Sequence, residues 1–174
     1  MKNMQVTLSE EINSIVSYAR DEAMRTGSYV IETDHLLLGL LRHADNEACR
    51  TLKSLGIDLV EFKEFVDDKI FHKKGIPYFD EDRICLSRGA QNTINLSILE
   101  ASMNNSAEAT SIHLLLAVCR SSGCAAEIFL REEGLDHRAL SELIRTVDGN
   151  EPAKKPARSP RLLEIVVTRN EYVS

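Results

Sequence analysis

Apolar residues recur at intervals of three and four along most of this chain, the spacing of one helix face. Ile12, Ile15, Val16, Ala19 and Ala23 form a first such row, opened by Ser9 as N-cap with Glu10 and Glu11 behind it and closed at Gly27. A short helix follows Thr33, with His35 in its first turn and Leu36, Leu37, Leu40 and Leu41 inside. A third contains Ala48, Cys49, Leu52 and Leu55 and stops at Gly56, placed as a left-handed C′ residue. A fourth opens on Asp58 with Glu61 three positions on, a capping box, and is expected to bury Leu59, Phe62, Phe65, Val66 and Ile70. Four more helices are expected over 87–104, 111–120, 124–133 and 136–147, with Gly134 and Gly149 as stops. Residues 71–83 hold Gly75, Pro77 and a charge cluster and read as a linker. No stretch before residue 160 alternates convincingly as a strand.

The second set of helices repeats the first at a fixed shift. His35-Leu36-Leu37-Leu38 returns 78 positions later as His113-Leu114-Leu115-Leu116. The same shift carries Leu8-Ser9 onto Leu86-Ser87, Glu22-Ala23 onto Glu100-Ala101, Arg42 onto Arg120, Ala48 onto Ala126 and Gly56 onto Gly134. A register held through so many residues without an insertion marks a tandem duplication, which fixes the unit of folding. The expected fold is therefore all-α, with two tandem four-helix repeats, 6–70 and 84–148, joined by the 71–83 linker into one double domain over 1–150.

Composition changes beyond Gly149. Pro152, Pro156 and Pro160 lie among Lys154, Lys155, Arg158 and Arg161, the makeup of an extended basic tether, so 151–174 reads as a linker or tail. Leu162–Thr168 is a short apolar, β-branched segment, either a frayed tail or a strand-like docking segment. The chain as a whole has 174 residues, 43% apolar and 28% charged, the balance of a globular protein that can bury a real core. Aromatics are sparse at 5% and Trp is absent, so that core must be aliphatic. A net charge of −6 lacks the basic footprint of a general nucleic-acid binder. No apolar run is long enough to span a bilayer, and Met1 to Glu11 does not resemble a signal peptide. Cys49, Cys85, Cys119 and Cys124 form no CxxC pair and are expected as reduced thiols, so the expected compartment is the cytoplasm.

At the paired His-Leu-Leu-Leu motifs the chain resembles a known family. Thr33-Asp34-His35-Leu36-Leu37-Leu38-Gly39-Leu40-Leu41-Arg42 is similar to the Thr-Glu-His-(Ile/Leu)-Leu-Leu-Gly-Leu-(Ile/Val)-Arg signature of the Clp N-terminal repeat. The stretch from Ala48 through Leu52 to Leu55-Gly56-Ile57 fits that family's next helix and stop. The likeness runs from about Val6 to Val147. It implies an all-helical domain of two four-helix repeats related by a pseudo-twofold axis. It also implies the role of that domain in ClpA/ClpB/ClpC-type unfoldases, recognising unfolded or tagged substrates and adaptor proteins above an ATP-driven ring.

The ATP-driven part has no counterpart in these residues. A P-loop needs GxxxxGK[ST], and none of the eight glycines is followed by Lys. His35 and His113 lack HExxH spacing and no acid or cysteine cluster completes a metal shell, so each reads as a structural, hydrogen-bonding residue. Ser9, Asp34 and His35 do not make a triad, because no oxyanion-hole or nucleophile-elbow signature accompanies them. No catalytic residue, cofactor or metal is expected. The resemblance singles out Asp34, since the family commonly has Glu there and ClpC-type members use that acid to hold phosphorylated arginine. A carboxylate suits a guanidinium fork. On that reading Asp34, with help from Ser9 in the same repeat, offers an acidic contact in repeat one, while Ser87 and Ile112 mark the matching place in repeat two. The competing reading is a helix-end acid that stabilises a dipole. Asp80, Glu81 and Asp82 in the linker read as a solvated loop or an acidic contact for a basic partner.

Two functional readings follow. One is the substrate- and adaptor-recognition domain of an ATP-dependent Clp protease or chaperone subunit, without ATPase or protease activity of its own, with arginine-phosphorylated proteins among its expected ligands. The other is a stand-alone regulator that docks on a Clp ATPase ring or competes for its adaptors, through Leu162–Thr168. Neither nucleic acid nor membrane is an expected partner.

Overall fold

The structure, a computed structural model, describes residues 5–72 and 74–148. Eight α-helices carry the fold: α1 (Glu10–Thr26), α2 (Thr33–His43), α3 (Glu47–Ser54), α4 (Leu59–Ile70), α5 (Arg88–Met103), α6 (Ser111–Cys119), α7 (Ala125–Glu132) and α8 (His137–Asp148). The last four begin at 88, 111, 125 and 137, each 78 positions after its counterpart at 10, 33, 47 and 59. The caps repeat as well. Ser9 Oγ accepts the Ile12 N–H at 3.2 Å at the head of α1, and Ser87 Oγ accepts the Ala90 N–H at 2.9 Å at the head of α5. Gly56 and Gly134 turn the chain with φ of 86° and 82°, the left-handed region a side chain resists.

Four short strands, unforeseen in the sequence, tie the repeats together: β1 (Thr7–Leu8), β2 (Val30–Ile31), β3 (Cys85–Leu86) and β4 (Glu108–Ala109). β1 pairs in parallel with β4, and β2 with β3, so each bridge joins one repeat to the other. Two residues are too few to display the alternation by which a strand is read from sequence. The linker is more ordered than its composition implies. Tyr78–Arg83 forms a 3-10 helix, and Ile76 is buried with its N–H on the Met24 carbonyl at 2.9 Å. Gly149 and everything beyond it, including the tether and Leu162–Thr168, lie outside the described residues.

The repeats share one core. Ile12, Leu37, Leu40, Leu52 and Phe62 of the first pack in one cluster with Leu114, Leu115, Phe129, Leu130 and Leu140 of the second. Phe62 and Phe129 stack across the junction with centroids 4.4 Å apart and planes 10° from parallel. In α4 only Phe62 and Val66 are buried, while Leu59, Phe65 and Ile70 are partly buried against that cluster. A second cluster joins Ala19, Ala23, Ile31 and Leu36 to Ile76, Ile84, Ala90 and Ile94, so the linker itself contributes core.

Candidate functional site

Each repeat's second helix opens on a histidine-based cap. His35 Nδ1 accepts the backbone N–H of Glu32 at 2.9 Å, and His113 Nδ1 accepts that of Thr110 at 3.0 Å. With Nδ1 an acceptor, the His35 proton sits on Nε2, which donates to Thr26 Oγ1 at 3.0 Å; that hydroxyl donates in turn to the Glu22 carbonyl at 2.8 Å. Burial holds the His35 imidazole below its ordinary pKa, against the opposing pull of Asp34. Both imidazoles thus accept a backbone N–H at the head of their own helix.

Asp34 occupies a different place from the one its sequence position implied. It is buried, and its two carboxylate oxygens accept the N–H groups of Ala125 and Ala126 at 3.0 and 2.9 Å. It therefore caps the first turn of α7, a helix of the opposite repeat, where a negative charge also meets the positive end of the dipole. The reciprocal contact comes from Ser111, whose Oγ accepts the Ala48 N–H at 3.1 Å in the first turn of α3. Ile112 is buried in the shared core. The pairing of Asp34 with Ser9 is also corrected. β1 runs beside β4, so Ser9 donates its N–H to Ala109 ahead of α6 and Ile112, at 3.1 Å. Ser87 donates to Ile31, three residues ahead of Asp34, at 3.0 Å. The bridges thus associate Ser9 with Ile112 and Ser87 with Asp34, across the repeats. Both serines serve as helix caps.

The repeat shift matches two acids whose burial the sequence does not announce. Glu22 and Glu100 are 3% and 1% exposed. Glu22 Oε2 lies 3.0 Å from Arg42 Nη1, and its Oε1 lies 2.7 Å from Arg25 Nη2. Glu100 Oε2 lies 2.7 Å from Arg120 Nε and 2.8 Å from His137 Nε2. The signal was available: acid and arginine both recur at the 78-residue shift, each on adjacent helices of its repeat. A further cavity of about 290 Å³ beside α1 is lined by Asp21, Met24, Arg25, Arg42, Ile76 and Tyr78, among others. The connector presents Tyr78 and Phe79 to solvent, 79% and 86% exposed.

The four thiols are free: Cys49 and Cys119 are buried, Cys124 half-buried and Cys85 exposed. Burial pushes the Cys124 thiol up to about 12, so at neutral pH it is not the nucleophilic thiolate. Among the described residues no group of three or more His, Cys, Asp or Glu is placed to hold a metal ion. No described helix is long and apolar enough to cross a membrane.

A duplicated four-helix unit, fused through one core and capped reciprocally, defines the class: a pseudo-twofold helical double-repeat domain. The family model described as Clp repeat (R) N-terminal domain matches residues 7–132, and the chain belongs to that family. It is 26% identical to the chaperone protein ClpB of Oceanobacillus iheyensis over 144 residues, covering 82% of this chain and 17% of that one. It is 29% identical to the chloroplastic chaperone protein ClpC1 of Arabidopsis thaliana over 151 residues, covering 86% of this chain and 16% of the relative. Among solved structures it is similar in fold to the N-domain of ClpV from Vibrio cholerae, with a TM-score of 0.63 at 13% identity, covering 88% of this chain and 96% of that domain. The chain spans less than a fifth of the length of the curated relatives it matches.

Proposed function

We propose that the chain is a recognition domain for substrate and adaptor proteins of an ATP-dependent Clp protease or chaperone, and hydrolyses neither ATP nor peptide bonds itself. The observation that carries this reading is the family match over 7–132, the span that holds most of the shared core and both reciprocal caps. The buried ionisable groups support a binding role. Asp34, His35, Glu22 and Glu100 are spent on caps and ion pairs within the fold, leaving recognition to the outer surface. Arginine or phosphoarginine capture by Asp34 does not enter the proposal, since a guanidinium would have to displace two buried hydrogen bonds to α7.

The test is anisotropy of fluorescently labelled, permanently unfolded casein and of labelled Clp adaptor proteins, titrated with the purified chain, alongside ATPase and peptidase assays. Saturable binding without turnover is the expected result. Failure to bind either class, or ATP hydrolysis abolished by a point mutation within the chain, would overturn it.

A further inference from the structure

α1 and α5 hold equivalent places in the two repeats, yet their outward faces differ in chemistry. Where α1 carries Tyr18, Arg20, Asp21 and Arg25, the positions 78 further on are Leu96, Ile98, Leu99 and Met103. Leu99 and Met103 are 47% and 53% exposed, and Leu96 and Ile98 are half-buried. Leu96, Leu99 and Met103 stand three and four residues apart and so form one apolar row, with Asn92 a turn before it. Apart from the buried Glu100, the only charge on α5 is Arg88 in its first turn. A solvated helix face ordinarily carries charges, as α1 does.

The row runs into a cavity of about 350 Å³ whose lining includes Asn92, Leu96, Arg120, Ser121, Thr33 and Cys124. Among the described lining residues Arg120 alone is charged. The contacts of Arg120 to Glu100 and His137 run through Nε, and neither Nη makes a hydrogen bond to a described residue. A guanidinium presenting its fork into a cavity matches a carboxylate. Repeat one is built differently around its arginine. Arg42 spends Nη1 on Glu22 and lies 5.4 Å from the centre of the Tyr18 ring. Ile76 of the connector packs against Ala19, Ala23 and Met24 of α1, 8% exposed and bonded to the Met24 carbonyl, and lines the 290 Å³ cavity together with Arg42. No described residue takes that place on α5.

We propose that the outward face of α5 and the Arg120 cavity together form a docking surface for a peptide segment of a partner protein. That segment brings apolar side chains to Leu96, Leu99 and Met103 and a carboxylate to the Arg120 Nη groups. Repeat one illustrates the apolar part of such an occupant, a chain segment that buries one apolar side chain against α1. Charge complementarity at Arg120 selects an acidic partner segment over a basic one. This rests on the recognition reading above and specifies its partner chemistry.

The test is a displayed library of random peptides selected in parallel on the full chain and on its Leu99→Asp/Met103→Arg variant, which carries the residues of α1 on α5. Peptides enriched on the native chain are expected to hold an apolar row with Asp or Glu. They are expected to bind the variant about tenfold more weakly, and to lose a similar factor when the acid is exchanged for its amide. Thermal melting by circular dichroism checks the fold; should the double variant melt early, Met103→Arg alone and the amide exchange carry the test. Equal binding to both chains, or enriched peptides without an acid, overturns the docking surface while recognition elsewhere on the chain stands. No enrichment on either chain overturns both. A native dimer that the variant converts to monomer assigns the face to a second copy, and tighter peptide binding after Leu162, Leu163 and Ile165 are changed to Ser assigns it to the chain's own C-terminal segment. Either result overturns the partner.

Discussion

Glu100 Oε2 lies 2.7 Å from Arg120 Nε, and Glu22 Oε2 lies 3.0 Å from Arg42 Nη1, the same acid–arginine pair in each repeat. The acids are almost wholly buried while the arginine side chains reach solvent, 38% and 45% exposed. Loss of an arginine therefore leaves a desolvated carboxylate, whereas the arginine itself could be rehydrated. The remaining partner differs. Glu22 keeps Arg25, always charged, but Glu100 keeps His137, charged only when protonated. Arg120→Ala is expected to cost about 3 kcal/mol and Arg42→Ala about 1 kcal/mol, the two ends of the range for stranding a buried group. Urea denaturation of the two variants checks the order, and equal losses would refute it.

Gly39 sets the closeness of α1 and α2. A Cβ at that position would stand 2.5 Å from the Ile15 carbonyl oxygen and 2.7 Å from the Ala19 backbone nitrogen, neither of which can swing aside. Its counterpart in repeat two, Ala117, is fully buried and tolerates the methyl between α5 and α6. Gly39→Ala should thus destabilise by about 1–3 kcal/mol through overpacking, although alanine is the better helix former. A thermal melt showing Gly39→Ala at or above the native midpoint would contradict this.

The neutral, buried His35 makes stability depend on pH. Its folded pKa lies below its ordinary value of 6.5, so the unfolded chain binds more protons than the folded one as pH falls past that value. The contribution is complete above about pH 7 and is lost progressively toward pH 5. His35→Gln retains an acceptor for the Glu32 N–H but cannot titrate. Urea midpoints of the two chains at pH 7.5 and 5.5 are the measurement, and the variant should show the smaller drop; parallel profiles would remove His35 from the account.

Asp34 and Ser111 cap each other's repeats unequally, two bonds against one. Asp34→Ala should cost about 2 kcal/mol and Ser111→Ala about 1 kcal/mol, as for lost helix caps. Hydrogen exchange should then quicken at Ala125 and Ala126 in the first variant and at Ala48 in the second. Unchanged exchange at those amides would show that the caps contribute nothing to holding the repeats together.

Much of this was readable in one dimension because the relevant rules are local. Ser9 and Ser87 announce helix starts, Gly56 and Gly134 announce stops, and the leucine rows mark one buried face per helix. The role of Asp34 was not readable, because the N–H groups it satisfies lie 91 and 92 residues away. Nor was the linker's part in the core. A segment with Gly75, Pro77 and several charges looks like solvent-exposed chain, and only the face of α1 beneath it explains why Ile76 is buried.

The sequence by itself determined the duplication, the eight helices and the family, since periodicity, caps and a repeated motif are written residue by residue along the chain. Only the tertiary structure decided which repeat each capping group serves. The parallel bridges β1–β4 and β2–β3 cross from one repeat to the other, and so carry Ser9 toward Ile112 and Ser87 toward Asp34. It also decided where the connector packs. The repeat shift aligns Leu99 with Asp21 and Met103 with Arg25, but burial depends on what packs there in space, and the connector returns across α1 alone among the described residues. A one-dimensional pattern records the propensity of each segment; a contact between distant segments is settled only when their surfaces compete for the same shared core.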